Sequence, residues 1–152
     1  MLGRFTACLL AILVIVLLGL KQTGVTEAER NENHIYFALE SFMCEMERRA
    51  EITSEDIDEL MKTISLAGML CDVEIEIGTV LYGREENTVE IEYTGEIMKE
   101  LGIPGNMIDL KGRMITVRVI PKTQCLGLKL ANLLWDTYLP QGEFVTGGFI
   151  HG

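Results

Sequence analysis

Four glutamates at alternating positions are the residues of this chain whose types and spacing come closest to chemistry. They are Glu74, Glu76, Glu90 and Glu92. Each pair alternates with apolar residues, a pattern typical of a half-buried β-strand. A polar, turn-like stretch at 83–87 separates the two strands and predicts an antiparallel hairpin. We therefore expect the four carboxylates to project together from the outer face of this hairpin.

Several kinds of chemistry fit such a face. Carboxylate oxygens are the ligands that Ca²⁺ prefers, and a close pair of carboxyl groups can perform acid/base catalysis. The face can also bind a basic partner, or it can be a solvated surface balanced in part by Arg118 on the polar side of a third strand. A solvated surface is the commonest of these, and a partner-binding acidic face is the main functional alternative.

Most catalytic and cofactor-binding patterns are missing from the sequence. It has 2 histidines, His34 and His151, and no motif places either one beside a nucleophile. We expect His34 to be a boundary residue on a helix. The sequence also lacks a phosphate-binding or dinucleotide-binding glycine pattern. We therefore predict a non-enzymatic protein with no cofactor and no metal site.

The cysteines Cys44, Cys71 and Cys125 are too scattered to predict a zinc site, and no CxxC pair occurs. In an oxidising compartment they could form at most one bridge within the chain, with one thiol left over. Spacing alone does not show which pair, if any, lies within bridging distance. We expect three free, buried thiols.

Charge is distributed unevenly along the chain. All 23 acidic residues but only 11 of the 13 basic ones follow position 26, so this part has a net charge of −12. Nucleic-acid binding requires basic patches that neutralise phosphates, and docking on anionic lipid headgroups requires the same sign. The charge therefore argues against both, and it is compatible with a basic protein partner or a metal cation.

The N-terminal segment predicts a membrane anchor. Phe5 to Leu20 is a run of sixteen residues without a charge, between the length of a signal-peptide core and that of a full span. We expect residues 1–21 to be an uncleaved transmembrane anchor; the alternatives are a signal peptide and a buried soluble helix. Arg4 precedes the run and Glu27 soon follows it, so the positive-inside rule places residues 22–152 outside the cytoplasmic membrane.

Residues 22–152 read as one α+β domain. Two amphipathic helices joined by a short connection should pack as a hairpin on a small, mainly antiparallel sheet. The second helix should begin at Thr53 or Ser54, whose hydroxyl can cap it. The predicted elements are helices at Thr26–Ala50, Thr53–Gly68, Glu96–Leu101 and Gln124–Trp135, and strands at Cys71–Ile77, Val89–Tyr93, Met114–Ile120 and Glu143–Ile150.

The layout resembles pilin-like proteins, in which a hydrophobic helix runs into an amphipathic one before a small sheet domain. The segment 36–78, YFALESFMCEMERRAEITSEDIDELMKTISLAGMLCDVEIEIG, resembles the middle region of TadE-like single-pass minor pilins from tight-adherence (Tad) type pilus or secretion loci of Gram-positive bacteria. The run Arg113–Val119 resembles their third strand, and Gly147-Gly148 resembles their ending. The resemblance covers about two thirds of the chain.

The resemblance implies a structural subunit of a bacterial pilus or secretion apparatus, with other subunits of that apparatus as partners and a homo- or hetero-oligomeric state. Prepilins carry a glutamate five residues after the processing glycine, whereas Gly3 here would place Cys8 at that position. This departure favours an accessory or minor subunit over a polymerising major pilin. The alternative is a membrane-anchored, extracytoplasmic ligand-binding or protein-binding sensor domain unrelated to pili.

Overall fold

A computed structural model describes residues 2–82, 87–103, 105–124, 129, 132–133 and 142–151. Contacts divide the chain into two units, one formed by Met1–Asn33 with Gln124–Gln141 and the other by His34–Thr123 with Gly142–Gly152. The helix predicted at Gln124–Trp135 lies largely outside the described residues, as do Cys125 and residues 83–86 of the turn predicted at 83–87.

The first helix, α1, is continuous over Leu2–Arg49. The sequence predicted an anchor at 1–21 and an amphipathic helix from Thr26, and no helix-breaking proline lies between them, so the two are one helix. In the first unit, the apolar side chains of α1 from Phe5 to Leu20 are largely exposed. Within the described residues, α1 is the one helix long and apolar enough to cross a membrane. An N-terminal apolar helix that is a candidate membrane span is therefore confirmed.

A tight connection leads from α1 to the second helix, α2 (Ser54–Ser65). Ala50 adopts a left-handed conformation (φ 54°) that ends α1, and Glu51–Thr53 forms a short strand, β1. Thr53 caps α2, as one of the two predicted residues. Its backbone N–H and its hydroxyl both donate to the Asp56 carboxylate, at 2.9 and 2.6 Å, so the start of α2 is fixed locally.

The second unit contains two antiparallel sheets. The larger sheet has the order β3-β2-β5-β6 and the smaller one pairs β1 with β4. The strand bounds are Cys71–Tyr82 (β2), Asn87–Tyr93 (β3), Met107–Asp109 (β4), Arg113–Pro121 (β5) and Phe144–Phe149 (β6). All four predicted strands are present, and β1 and β4 were not predicted because three-residue strands are too short to show periodicity.

The core of the second unit lies on one face of the larger sheet, which we call the inner face. Its fully buried side chains include Ile75 and Ile77 of β2 and Ile115, Val117 and Val119 of β5. The helix α3 (Thr94–Leu101) contributes buried side chains of its own. From α1, the Tyr36 ring meets the Phe144 ring of β6 edge-on at 5.0 Å.

Two contacts join the second half of α1 to α2. His34 Nε2 lies 2.9 Å from the carbonyl oxygen of Thr63, near the end of α2. Arg49 donates to Asp56, near its start, at 2.7 Å. The sequence predicted an α+β fold in which antiparallel sheets follow a long apolar helix along the chain, and this fold class is confirmed.

Candidate functional site

Strand register divides the four predicted site residues between two faces of the sheet. Directly paired residues of antiparallel strands project from the same face. Glu76 pairs with Tyr93, whereas Glu92 pairs with the buried Ile77 and Glu90 with Thr79. Glu90 and Glu92 therefore lie on the inner face, and Glu74 and Glu76 lie on the opposite, outer face. The prediction that all four carboxylates share one face is wrong.

The error has a simple physical cause. Alternation shows which residues of a strand share a face, but it does not show which face is buried. In β2 the apolar set is buried, as expected, but in β3 the apolar set is turned outward. A shift of one residue in strand pairing exchanges the two faces, and nothing within β3 itself distinguishes the two registers.

The outer face is consequently more apolar than the sequence suggested. We define it by Glu74, Glu76, Gly78 and Val80 on β2 and their cross-strand neighbours. Its exposed apolar side chains are Val89 (55% exposed), Ile91 (42%) and Tyr93 (56%) on β3, Met114 (46%) on β5, and Val145 (52%) and Phe149 (44%) on β6.

One row of this face is apolar across all four strands. Ile91 pairs with Gly78, Gly78 with Met114, and Met114 with Phe149. Gly78 is itself buried. A Cβ at this position would lie 3.6 Å from the Met114 side chain and 3.7 Å from that of Val89. Both distances are ordinary van der Waals contacts, so the Met114 and Val89 side chains lie close to the β2 backbone at this position. Sequence reasoning missed this row because it depends on four strands in register.

Glu74 and Glu76 border this apolar row. Glu74 pairs with Arg118 and Glu76 with Thr116. Arg118 lies on the same face, as predicted, but the described residues show no ion pair between it and either glutamate. The outer face therefore combines exposed apolar side chains with two carboxylates at one end.

The inner-face glutamates have a different environment. Glu92 lies 3.6 Å from the guanidinium of Arg113 on β5, reached across β2. Both side chains are about one-third exposed. The ion pair therefore lies at the edge of the core and contributes only modestly to stability. Glu90 is exposed. These two carboxylates are separated by the sheet from Glu74 and Glu76, and the four cannot act on one ligand.

Directly after β3, the side chain of Thr94 rather than a strand forms the hydrogen bonds to the β2 backbone. Thr94 Oγ1 accepts a hydrogen bond from the Ile75 N–H at 2.7 Å and donates to the Ile75 carbonyl at 3.0 Å. Beyond this point the edge of β2 faces an open cavity of about 510 Å³. The cavity is lined by Met61, Cys71, Asp72, Val73, Glu74, Glu76, Tyr93, Thr94 and Gly95.

The remaining titratable residues occupy ordinary structural positions. His34 is half-buried and hydrogen-bonded, as expected for a boundary residue. Cys44 and Cys71 are free thiols, as predicted, but Cys44 is exposed, so its predicted burial is wrong. Burial, followed by the charge of Asp72, raises the pKa of the half-buried Cys71 thiol. Over the described ranges, no three His, Cys, Asp or Glu residues form a group that could hold a metal ion.

The chain matches no known family model, no curated protein and no solved structure. The fold and the site together define an α+β domain preceded by a candidate N-terminal transmembrane helix. The outer face of its larger sheet carries six exposed apolar side chains among the described residues.

Proposed function

We propose that this protein is a non-enzymatic, membrane-anchored, pilin-like accessory or minor subunit of a bacterial pilus or secretion apparatus. The domain stands on the outer side of the cytoplasmic membrane, and the outer face of its sheet contacts a neighbouring subunit. The observation that carries the proposal is the apolar row Ile91–Gly78–Met114–Phe149, in which the three side chains are exposed, on an otherwise acidic domain.

Exposure of an apolar row to water is unfavourable. Each Å² of apolar surface that a partner removes from water stabilises the complex by about 25 cal/mol. Contiguous apolar patches of this kind are typical of protein–protein contact sites. The row is also rigid, because its members lie on paired strands rather than on loops. A preorganised surface loses little conformational entropy on binding, which suits a structural contact.

The pilin-like part of the proposal rests on the layout of the chain. The apolar segment and the first amphipathic helix are one helix, α1, as in the proteins that the sequence resembles. We also retain the expectation that α1 and α2 form a hairpin on the sheet. The contacts His34–Thr63, Arg49–Asp56 and Tyr36–Phe144 support it.

Photo-crosslinking in the native host tests the partner surface. A benzophenone amino acid is placed at Ile91, on the outer face, and in a matched control at Glu90, the adjacent residue on the inner face. We expect the Ile91 variant to crosslink to a subunit of the apparatus and the Glu90 variant to give little or no adduct. Equal adducts at both positions, or none at Ile91, would refute the outer face as the contact.

Cysteine labelling tests the orientation. A variant that keeps only Cys44, which is exposed, is treated with a membrane-impermeant maleimide in intact cells. We expect labelling without lysis, and no labelling of a control variant that keeps only Cys8 within the apolar segment. Labelling of Cys44 only after lysis would place the domain in the cytoplasm and end this proposal.

A second candidate function is a membrane-anchored sensor or binding domain unrelated to pili. An open groove of about 620 Å³ between α1 and α2 favours it, with Phe37, Phe42 and Leu60 among its lining. Such a domain would be stabilised by its ligand through mass action. A rise in melting temperature with a small apolar ligand or Ca²⁺, combined with no crosslinked apparatus subunit, would favour this function over the first.

A further inference from the structure

The N-terminal part of β2 has an open edge. On one side, β2 pairs with β5 from Cys71, opposite Pro121, to Thr79, opposite Arg113. On the other side, pairing with β3 begins only at Glu76. Residues 71–74 therefore have a strand on one side, and no strand of the described chain pairs with their other side.

The backbone groups that point to this open edge follow from the alternation of an antiparallel ladder. Within a strand, successive residues direct their N–H and C=O groups to opposite neighbours. Both groups of Ile75 point away from β5, because both bond the Thr94 hydroxyl. The same groups of Val73 and Cys71, two and four residues earlier, therefore point to the open edge as well.

Side chains on the two sides of this edge differ in character. Asp72, Glu74 and Glu76 lie on the outer side, while Cys71 and Val73 lie on the inner side. Met61 of α2 also lines the cavity. A strand added here would direct alternate side chains toward carboxylates and toward apolar groups. One of these carboxylates already binds a cation of the chain, since Lys122 forms an ion pair with Asp72.

We propose that this edge binds an extended peptide segment of a protein partner by strand addition, and that the segment alternates basic and apolar residues. Backbone hydrogen bonds to Val73 and Cys71 provide affinity, and the alternate side chains provide specificity. Charged residues on an exposed edge normally deter pairing with other strands. Here the carboxylates exclude acidic segments and attract basic ones, consistent with the net charge of −12 after position 26.

This contact uses the backbone edge of β2 and shares Glu74 and Glu76 with the outer face, but it does not depend on membership of a pilus. The experiment uses the full chain in detergent micelles and an acetylated, amidated peptide of alternating lysine and valine. Binding is measured by fluorescence anisotropy, and the amide signals of Val73 and Cys71 are followed by NMR. One control peptide has glutamate in place of lysine, and another keeps the side chains but has every amide N-methylated.

We expect the lysine peptide to bind and to protect the Val73 amide from exchange. The N-methylated peptide loses at least two hydrogen bonds and should bind about tenfold more weakly or worse. Glu74→Gln and Glu76→Gln should each weaken binding by about two- to fivefold. Val73→Pro removes a donor that no strand of the described chain uses, and should weaken binding by about two- to tenfold.

Three results would overturn the inference. The first is no binding of the lysine peptide. The second is an N-methylated peptide that binds as tightly as the lysine peptide, which would show that the contact depends on charge alone. This comparison uses the unsubstituted chain, so it holds even if Val73→Pro unfolds the domain. The third is protection of the Val73 amide by self-association without peptide, which would make a second copy of the chain the occupant.

Discussion

Replacement of Thr94 by valine should destabilise the domain through a pair of hydrogen bonds that ends the β2–β3 ladder. The Thr94 hydroxyl accepts from the Ile75 N–H at 2.7 Å and donates to the Ile75 carbonyl at 3.0 Å. Valine has nearly the same shape and is also β-branched, so Thr94→Val leaves packing and the start of α3 almost unchanged. The substitution therefore isolates the two hydrogen bonds.

The expected loss follows from the burial of Ile75. Ile75 is 0% exposed. In Thr94→Val its N–H and C=O would therefore lose their hydrogen-bond partner at a position with limited access to water. An unsatisfied buried polar group costs about 1–3 kcal/mol. The cavity beside this edge lets water replace part of the lost bonding. We therefore expect a total loss of about 1–3 kcal/mol, a large fraction of the about 5–15 kcal/mol that stabilises a typical domain.

Urea unfolding of the full chain in detergent, followed by far-UV circular dichroism, measures this loss. The control is Thr94→Ser, which keeps both hydrogen bonds and removes only a methyl group. It should cost less than about 1 kcal/mol. The reasoning is refuted if Thr94→Val lies within about 0.5 kcal/mol of the unsubstituted chain, or if the serine variant is equally unstable. An unchanged m-value would show that both variants unfold from the same folded state.

Three further predictions use the same unfolding assay or a thiol reaction. Asp56→Ala removes the capping acceptor and an ion pair from the start of α2 and should cost about 1–3 kcal/mol, whereas Glu55→Ala, at an exposed carboxylate one residue earlier, should cost less than about 0.5 kcal/mol. Gly147→Ala places a methyl group 2.9 Å from a backbone carbonyl of β5 and should cost about 1–3 kcal/mol of stability. The control Gly148→Ala meets only flexible side-chain ends at 3.5 Å and should cost less. Equal losses of stability in the two variants would contradict the argument. Because burial raises the pKa of Cys71, its thiolate is scarcer near neutral pH, and a single-cysteine variant should react with iodoacetamide more slowly than a free thiol, with the midpoint of its pH–rate curve shifted upward. A rate equal to that of a free thiol would contradict this last prediction.

Much of the local structure was predictable from short stretches of sequence. The position of β2 followed from alternation, the start of α2 from Thr53 and the residues after it, and the apolar start of α1 from its length and composition. Each of these signals lies within one element, so no knowledge of distant residues was needed. The short strands β1 and β4 carry no such signal, since three residues show no period.

The sequence alone determined the chemical classes of residue, the periodicity of each element, the acidic balance and the apolar N-terminal helix. Tertiary structure alone decided which side of β3 is buried, and with it the separation of Glu90 and Glu92 from Glu74 and Glu76. It also decided that β3 ends before Thr94, whose hydroxyl bonds the Ile75 backbone, and that the edge of β2 beyond this point is open. The physical reason is that periodicity is a property of one strand, whereas the choice of buried face and the length of pairing depend on the register between strands.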